Sequence, residues 1–247
     1  MDELYWLRRP IAHRGLHDAA RGIVENSLSA VKAAMRKGLA VEVDLQRAAG
    51  DMPVVFHDVI LDRRTDESGP VAVRDVDTLR TIPLKNGGDR ILSLPDLLEL
   101  VGDTVPLLLE VKSDGKRSGA FEANIAALLA GYRGPVAVMS FDPHAVAAFR
   151  HHAPALPRGL VSCRFADKIS KTHLSLLQRF AMRHLLTSVF ARPHFVAYDV
   201  HALPAVAPLI AKFVAGLPLL AWTVRTQADL ARALRYADAP IFEEIVA

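Results

Sequence analysis

Residues 39–58 read LAVEVDLQRAAGDMPVVFHD, and the periodicity of this stretch decides the fold class. Val41, Val43 and Leu45 alternate with Glu42, Asp44 and Gln46, the period of two that marks a strand, so Glu42 and Asp44 share one face. A second apolar run, Met52 to Phe56, ends in His57-Asp58. The link between the runs is shorter than the dozen or so residues of a parallel crossover, which predicts an antiparallel hairpin turning near Gly50-Asp51. Counting back from that turn sets His57 about opposite Asp44. Two acids and an imidazole then converge on one patch. Adjacent carboxylates repel unless something positive lies between them, and a hard divalent cation is the usual solution.

On the N-terminal side, a short strand from Arg9 to Ala12 runs into His13-Arg14-Gly15, where glycine permits a sharp turn. Glu25-Asn26-Ser27 opens a helix capped by Asn26 or Ser27, with Ala30, Val31, Ala34 and Met35 at helical spacing up to Lys37-Gly38. On the C-terminal side, residues 59–93 are polar, turn-rich and without a sustained period, which predicts a long irregular excursion on one face. Beyond it the chain alternates regularly. Leu94–Val101 reads as a helix and VPLLLEV at 105–111 as a fully buried parallel strand, with Glu110 and Lys112 sharing a face at its end. Helices follow at Gly119–Leu129, from Asp142-Pro143 to His151, and at Pro204–Val214 and Gln227–Tyr236. Strands follow at Pro135–Ser140, Leu156–Val161, Phe195–Val200, Pro218–Val224 and in APIFEEIV at 239–246. Lys171 to Phe190 carries apolar residues at Leu174, Leu177, Ala181, Leu185 and Val189, read as one amphipathic helix and an outer element of the fold, rather than a membrane-surface or partner-binding one. Leaving the hairpin arm aside, eight strands separated by seven helical segments fit a TIM (β/α)8 barrel. The expectation is a single domain over residues 1–247, with a small insertion at 59–93 after the His57-Asp58 strand. His13, Asp44 and Glu110 then fall at C-terminal strand ends, where barrel enzymes collect their site residues.

Composition narrows the classes. A chain of 247 residues with 51% apolar content can bury a large core. Net charge +3 is mild, and the basic residues read as spread rather than gathered into a stripe. That favours an anionic small substrate over nucleic acid. One cysteine, Cys163, excludes a disulfide framework and a cysteine-rich zinc site. The first ten residues lack the pattern of a secretory signal and no apolar run reaches the length of a membrane span, so cytoplasmic residence is the default expectation.

Taken singly, Glu42, Asp44 and Glu110 read equally as ion-paired surface acids. Together, at strand tips beside two histidines, they read as a metal site. Oxygen-only ligation favours Mg²⁺ or Ca²⁺ over Zn²⁺. His13 and His57, flanking such an ion, suit proton transfer in both directions because imidazole titrates near neutral pH. Arg14 reads either as a surface arginine or as a two-pronged grip on phosphate oxygens. Lys112 reads either as the neutraliser of Glu110 or as positive charge for the same phosphate. Of the other histidines, His151-His152, His173, His184, His194 and His201 show no ligand spacing and read as structural or surface residues. GxSxG, P-loop, GxGxxG and HExxH motifs do not occur, leaving serine-hydrolase and nucleoside-triphosphate chemistry without support.

Taken together, IAHRG at 11–15, ENS at 25–27, EVD at 42–44, VVFHD at 54–58, EVK at 110–112, SFDP at 140–143 and AWTV at 221–224 resemble the glycerophosphodiester phosphodiesterase family. The resemblance implies a TIM barrel with a small insertion after the HD strand. It implies a divalent metal, Mg²⁺ or Ca²⁺, at Glu42, Asp44 and Glu110. It further implies acid and base at His13 and His57, with Arg14 and Lys112 near the phosphate. The implied reaction is hydrolysis of glycerophosphodiesters to sn-glycerol 3-phosphate and an alcohol. Rival readings are a related phosphodiesterase acting on lysophospholipids, with Trp222 and the insertion lining an acyl slot, and a non-catalytic ligand-binding barrel. Three departures stand out: Ser27 for the more usual threonine, Arg225 where asparagine is usual, and Phe242-Glu243 in place of a closing TD with a nearby proline. The last two bear on substrate selection and on the pocket floor.

Overall fold

In the computed structural model, which describes residues 4–113, 115 and 119–243, the period-two stretches become the staves of a closed parallel barrel. The first three staves in the chain are β1 (Ile11–Ala12), β2 (Ala40–Arg47) and, after the excursion, β5 (Leu107–Val111). Between them lie α1 (Leu28–Arg36), the arm β3 (Pro53–Val55), α2 (Val76–Leu79), β4 (Leu92–Ser93) and α3 (Leu94–Val101). The chain continues through α4 (Ala120–Leu129), β6 (Val136–Ser140), α5 (Pro143–His152) and β7 (Arg158–Ser162). Three short helices, α6 (Lys168–His173), α7 (Leu176–Arg183) and α8 (Ser188–Ala191), lead to β8 (Phe195–Asp199). The remainder is α9 (Val206–Phe213), β9 (Leu219–Val224), α10 (Gln227–Tyr236) and β10 (Ala239–Phe242). The barrel order is β1-β10-β9-β8-β7-β6-β5-β2, and the β1–β2 pairing closes it. This is the eight-stranded TIM barrel expected from the alternation. Residues 244–246, read as the end of the last strand, lie outside the described residues.

Strand alternation divides the core into two layers. Val41, Val43 and Leu45 of β2 face outward and pack, with Leu107 and Leu109, against Leu94, Leu97 and Phe121 of the surrounding helices. The other face looks into the lumen, where Ala40, Leu108, Met139, Val161, Leu220 and Ile241 fill the interior. A 3-10 turn at Tyr5–Arg8 closes the floor by inserting Trp6 and Leu7, both essentially fully buried. Gly159 of β7 is dictated by this packing, because a Cβ there would stand 2.1 Å from the Phe195 ring.

Three expectations need correction, and one open alternative is resolved. The hairpin forms, but its ladder pairs Arg47 with Pro53 and Leu45 with Val55, so the backbone partner of Asp44 is Phe56 rather than His57. The reason is an odd-numbered connection, closed by Ala48 N–H donating to the Met52 carbonyl, with Gly50 and Asp51 both at positive φ. His57 therefore sits one residue past the ladder. The helix expected over Lys171 to Phe190 is three helices. Leu174 is extended, and Ser175 and Gln178 build a capping box that starts α7 afresh. Leu185 then turns to φ +56. Of the two proposed caps for α1, Ser27 takes the role and Asn26 is diverted elsewhere. Finally, residues 59–93 are not irregular throughout. They carry α2 and β4, the latter extending the arm by pairing antiparallel with β3, and they enclose a core of Leu61, Val71, Leu79, Ile82, Leu84 and Ile91.

Candidate active site

The C-terminal ends of β1, β2 and β5 meet at the barrel mouth because β1 and β5 are the two neighbours of β2. Register sets Asp44 beside Glu110, and side-chain alternation puts Glu42 on the same inward face. Carboxylate oxygens of Glu42, Asp44 and Glu110 all lie within 4.8 Å of one another, and all three residues are buried. Three buried acids at this spacing need compensation. Part of it comes from Lys112, whose Nζ lies 2.7 Å from Asp44 Oδ1 and also donates to Glu110. Burial alone would drive the Lys112 ammonium down, but Asp44 and Glu110 outweigh it and hold its pKa well above the ordinary lysine value. Arg14 supplies more: its Nε lies 3.1 Å from Asp44 Oδ2, and its backbone N–H donates to Glu42 Oε2 at 2.8 Å.

Glu42 remains the least satisfied member. Its Oε1 is buried without a hydrogen-bond partner. Burial, with Asp44 and Glu110 alongside, raises its pKa well above the usual carboxylate range. An orphaned carboxylate oxygen within a cluster of three oxygen donors is the donor set that a hard divalent cation takes. The residues present therefore fit the metal that the sequence implied. Asp44 is held from behind by Asn26, whose Nδ2 donates to Asp44 Oδ2 at 2.8 Å and whose Oδ1 accepts the Asp44 backbone N–H at 3.1 Å.

The HRG turn delivers His13. Gly15 has φ +76, and a Cβ there would meet the Ala30 backbone at 2.7 Å, so both conformation and space require glycine. His13 Nε2 lies 3.8 Å from Glu42 Oε2. On the other side of the ring, Nδ1 makes a close hydrogen bond with Glu243 Oε1. Glu243 is in turn gripped by Arg225, whose Nε donates to Oε2 at 2.6 Å and whose Nη2 donates to Oε1 at 3.3 Å. Burial pushes the Glu243 carboxyl up, but His13, His17 and Arg225 outweigh it and hold it well below the usual carboxylate range. The two departures from the family pattern are thus partners of each other and of the first histidine.

His57 has the same construction. Its Nδ1 meets Asp58 Oδ1 at 2.7 Å, and Arg63 clamps Asp58 through Nε at 2.5 Å and Nη2 at 3.0 Å. Gln46 Nε2 donates to the His57 carbonyl at 3.2 Å, which fixes the histidine although it lies past the ladder. Burial lowers the His57 pKa below the ordinary imidazole value, and Lys112 and Arg14 add to this against the opposing pull of Asp44. Against the cost of burial, Arg63 and His57 bring the Asp58 carboxyl down to about 2. Glu25 gathers Arg14, Arg63 and Arg64 at 3.0, 2.7 and 2.6 Å, joining both histidine arms into one network.

The structure thus brings Glu42, Asp44, Glu110, Arg14, Lys112, His13 and His57 into one constellation. Trp222 belongs to another wall of the mouth, where it meets Phe141 edge-on at 5.2 Å, and Phe141 meets Phe165 at 6.3 Å. Sequence reading passed over Arg63 and His17, the latter 3.9 Å from Glu243. It gave Glu25 and Asn26 no site role, although the motif containing them was visible, and it tied Glu243 to the pocket floor rather than to His13.

Residues 13–243 match the profile of the Glycerophosphoryl diester phosphodiesterase family. A glycerophosphodiester phosphodiesterase of Caldanaerobacter subterraneus subsp. tengcongensis is 26% identical over 241 residues, covering 91% of this chain and 89% of the relative. An Oleispira antarctica phosphodiesterase solved in complex with the product sn-glycerol-3-phosphate superposes with a TM-score of 0.76 at 20% identity, over 95% of this chain and 92% of the other. A glycerophosphodiester phosphodiesterase from Agrobacterium tumefaciens gives 0.69 at 20% identity, over 95% of each chain.

Proposed function

The chain belongs to the glycerophosphoryl diester phosphodiesterase family, and from that premise we propose that it hydrolyses glycerophosphodiesters to sn-glycerol 3-phosphate and a free alcohol, with His13 and His57 moving the protons. The observation that carries this reading is the doubled construction of the histidines. Each has a carboxylate on Nδ1, so each presents Nε2 as its working atom, and both flank the same acidic cluster.

Glu42, Asp44 and Glu110 would hold one divalent cation, Mg²⁺ or Ca²⁺, which when bound supplies Lewis-acid polarisation of the phosphate. Arg14 and Lys112 border the cluster and bind the non-bridging phosphate oxygens, offsetting the charge that repels a nucleophile from a phosphodiester anion. His57, held below its usual pKa, is unprotonated at neutral pH and accepts a proton at Nε2 from the attacking hydroxyl, that of water or of the glycerol 2-position, whose cyclic phosphate water then opens. His13, oriented by Glu243, delivers a proton from Nε2 to the departing alcohol oxygen, which leaves poorly as an alkoxide.

The test is a panel of glycerophosphocholine, glycerophosphoethanolamine, glycerophosphoinositol and a lysophospholipid, each run with EDTA and with Mg²⁺ or Ca²⁺ restored. Metal-dependent release of sn-glycerol 3-phosphate and the alcohol is expected. No turnover of any diester with either metal would overturn the reading. The aromatic row Trp222–Phe141–Phe165 favours one second reading, an acyl slot for lysophospholipids. Activity that rises with acyl length and falls in Trp222→Ala identifies it.

A further inference from the structure

The segment 164–192 presents a face unlike that of α3. In α3, Leu94, Leu97 and Val101 are buried against the strands. In α7 no residue is buried: Leu176 and Leu177 are 78% and 77% exposed, and Phe180 is 55% exposed. The capping box at Ser175 and Gln178 fixes this helix, so an ordered turn holds the apolar side chains outward. Leu176, Leu177 and Phe180 share one helical face, with Arg179 and Arg183 along its edge. Leu186 ahead of α8, Val189 within it, and Val206 and Ile210 of α9 are exposed as well.

The charge is equally uneven. Residues 164–192 hold six Lys or Arg and one Asp, a formal +5 in a chain whose total is +3. The basic residues are no denser here than in residues 62–90, which also hold six; what is uneven is the near absence of acids. Between the end of α7 and the start of α9 opens a cavity of about 490 Å³ whose lining includes Arg164, Arg183, His184, Tyr198 and Val206, and no carboxylate. It lies beside the loops that follow β7 and β8, on the end of the barrel that carries the acidic cluster.

We propose that this face docks on the surface of an anionic phospholipid bilayer, with Leu176, Leu177 and Phe180 entering the acyl boundary while Arg164 and Arg183 meet headgroup phosphates. An outward apolar stripe edged by cations is the arrangement that lies flat on a bilayer. Charge argues against a second copy of the chain, since a two-fold contact through this segment would bring two net-positive segments together. Docking in this way sets the barrel mouth on the side facing the lipid.

The test is co-sedimentation of the full chain with vesicles of phosphatidylcholine alone or mixed with phosphatidylglycerol. Binding to the mixed vesicles only, weakening as salt rises, is expected. Arg164→Ser with Arg183→Ser should weaken partitioning about 25-fold, taking roughly fivefold per charge near an anionic surface. Leu176→Ser with Leu177→Ser and Phe180→Ser should abolish it. Both variants should keep the wild-type circular dichroism spectrum and wild-type turnover of a soluble glycerophosphodiester. Absence of binding to phosphatidylglycerol vesicles overturns the proposal. So does a dimer in sedimentation velocity that the apolar variant dissolves while vesicle binding persists.

Discussion

Each of the two histidines in this mouth is the end member of a chain of three: Arg225, Glu243 and His13 on one side, Arg63, Asp58 and His57 on the other. His13→Ala and His57→Ala should each fold and lose about 10²- to 10⁴-fold in kcat, the usual worth of a positioned acid or base. Near-wild-type turnover in a folded variant removes that residue from the chemistry. Glu243→Gln should cost about 10- to 100-fold in kcat, as for other carboxylates that orient a functional imidazole. Arg225→Ala leaves the carboxylate in place and should cost under about tenfold, because an exposed ion pair is worth roughly 0–1 kcal/mol. The lowered His57 pKa fixes a pH effect. A base must be unprotonated, so kcat/KM should hold as pH falls through 6.5, the ordinary imidazole value, and decline only below it. An acid limb at or above that value would assign the base elsewhere. Motif residues made most of this legible in the sequence. Arg63 was not, because an arginine six residues after His57 has no pattern until the excursion folds back over Asp58. Arg225 and Glu243 were visible only as two separate departures, and their pairing across β9 and β10 is a tertiary fact.

Elements whose burial is periodic were read correctly, and those whose burial is not were misread. The eight staves have continuous or alternating apolar runs, and each appears within a few residues of its expected place. Residues 59–93 bury Leu61, Val71, Leu79, Ile82, Leu84 and Ile91 from turns and single helical turns, so no window shows a period although the core is real. Leu61→Ala should therefore destabilise by about 2–5 kcal/mol, as truncation in a closed core does. A loss within roughly 0.5 kcal/mol in urea unfolding would mean that the excursion is loosely packed after all. The span 171–190 fails in the opposite way. Its period is helical throughout, but the capping box at Ser175 and the turn at Leu185 interrupt what periodicity alone would continue. In β7, Gly159→Ala would press a methyl into the Phe195 ring, and overpacking of this kind costs about 1–3 kcal/mol.

For the molecule as a whole, the concentration of carboxylates at the barrel mouth should make stability depend on whether a cation is bound. Glu42 keeps its proton more tightly in the folded chain than in the unfolded one. As pH rises through the ordinary glutamate range, the unfolded chain releases that proton first, so in EDTA this group lowers stability toward neutral pH. A bound divalent ion reverses the sign by compensating Glu42, Asp44 and Glu110 together. At about 100 times its dissociation constant the ion adds about 2.7 kcal/mol, which for a chain of this size is a rise of roughly 5–10 °C in Tm. Glu42→Gln separates the two effects. In EDTA at neutral pH it should melt no lower than wild type, since a buried like charge has been removed. With Mg²⁺ or Ca²⁺ it should gain little, since a ligand has been lost. Thermal unfolding of both proteins with and without metal gives four melting temperatures. A metal-induced rise as large in Glu42→Gln as in wild type would place the ion somewhere other than the barrel mouth.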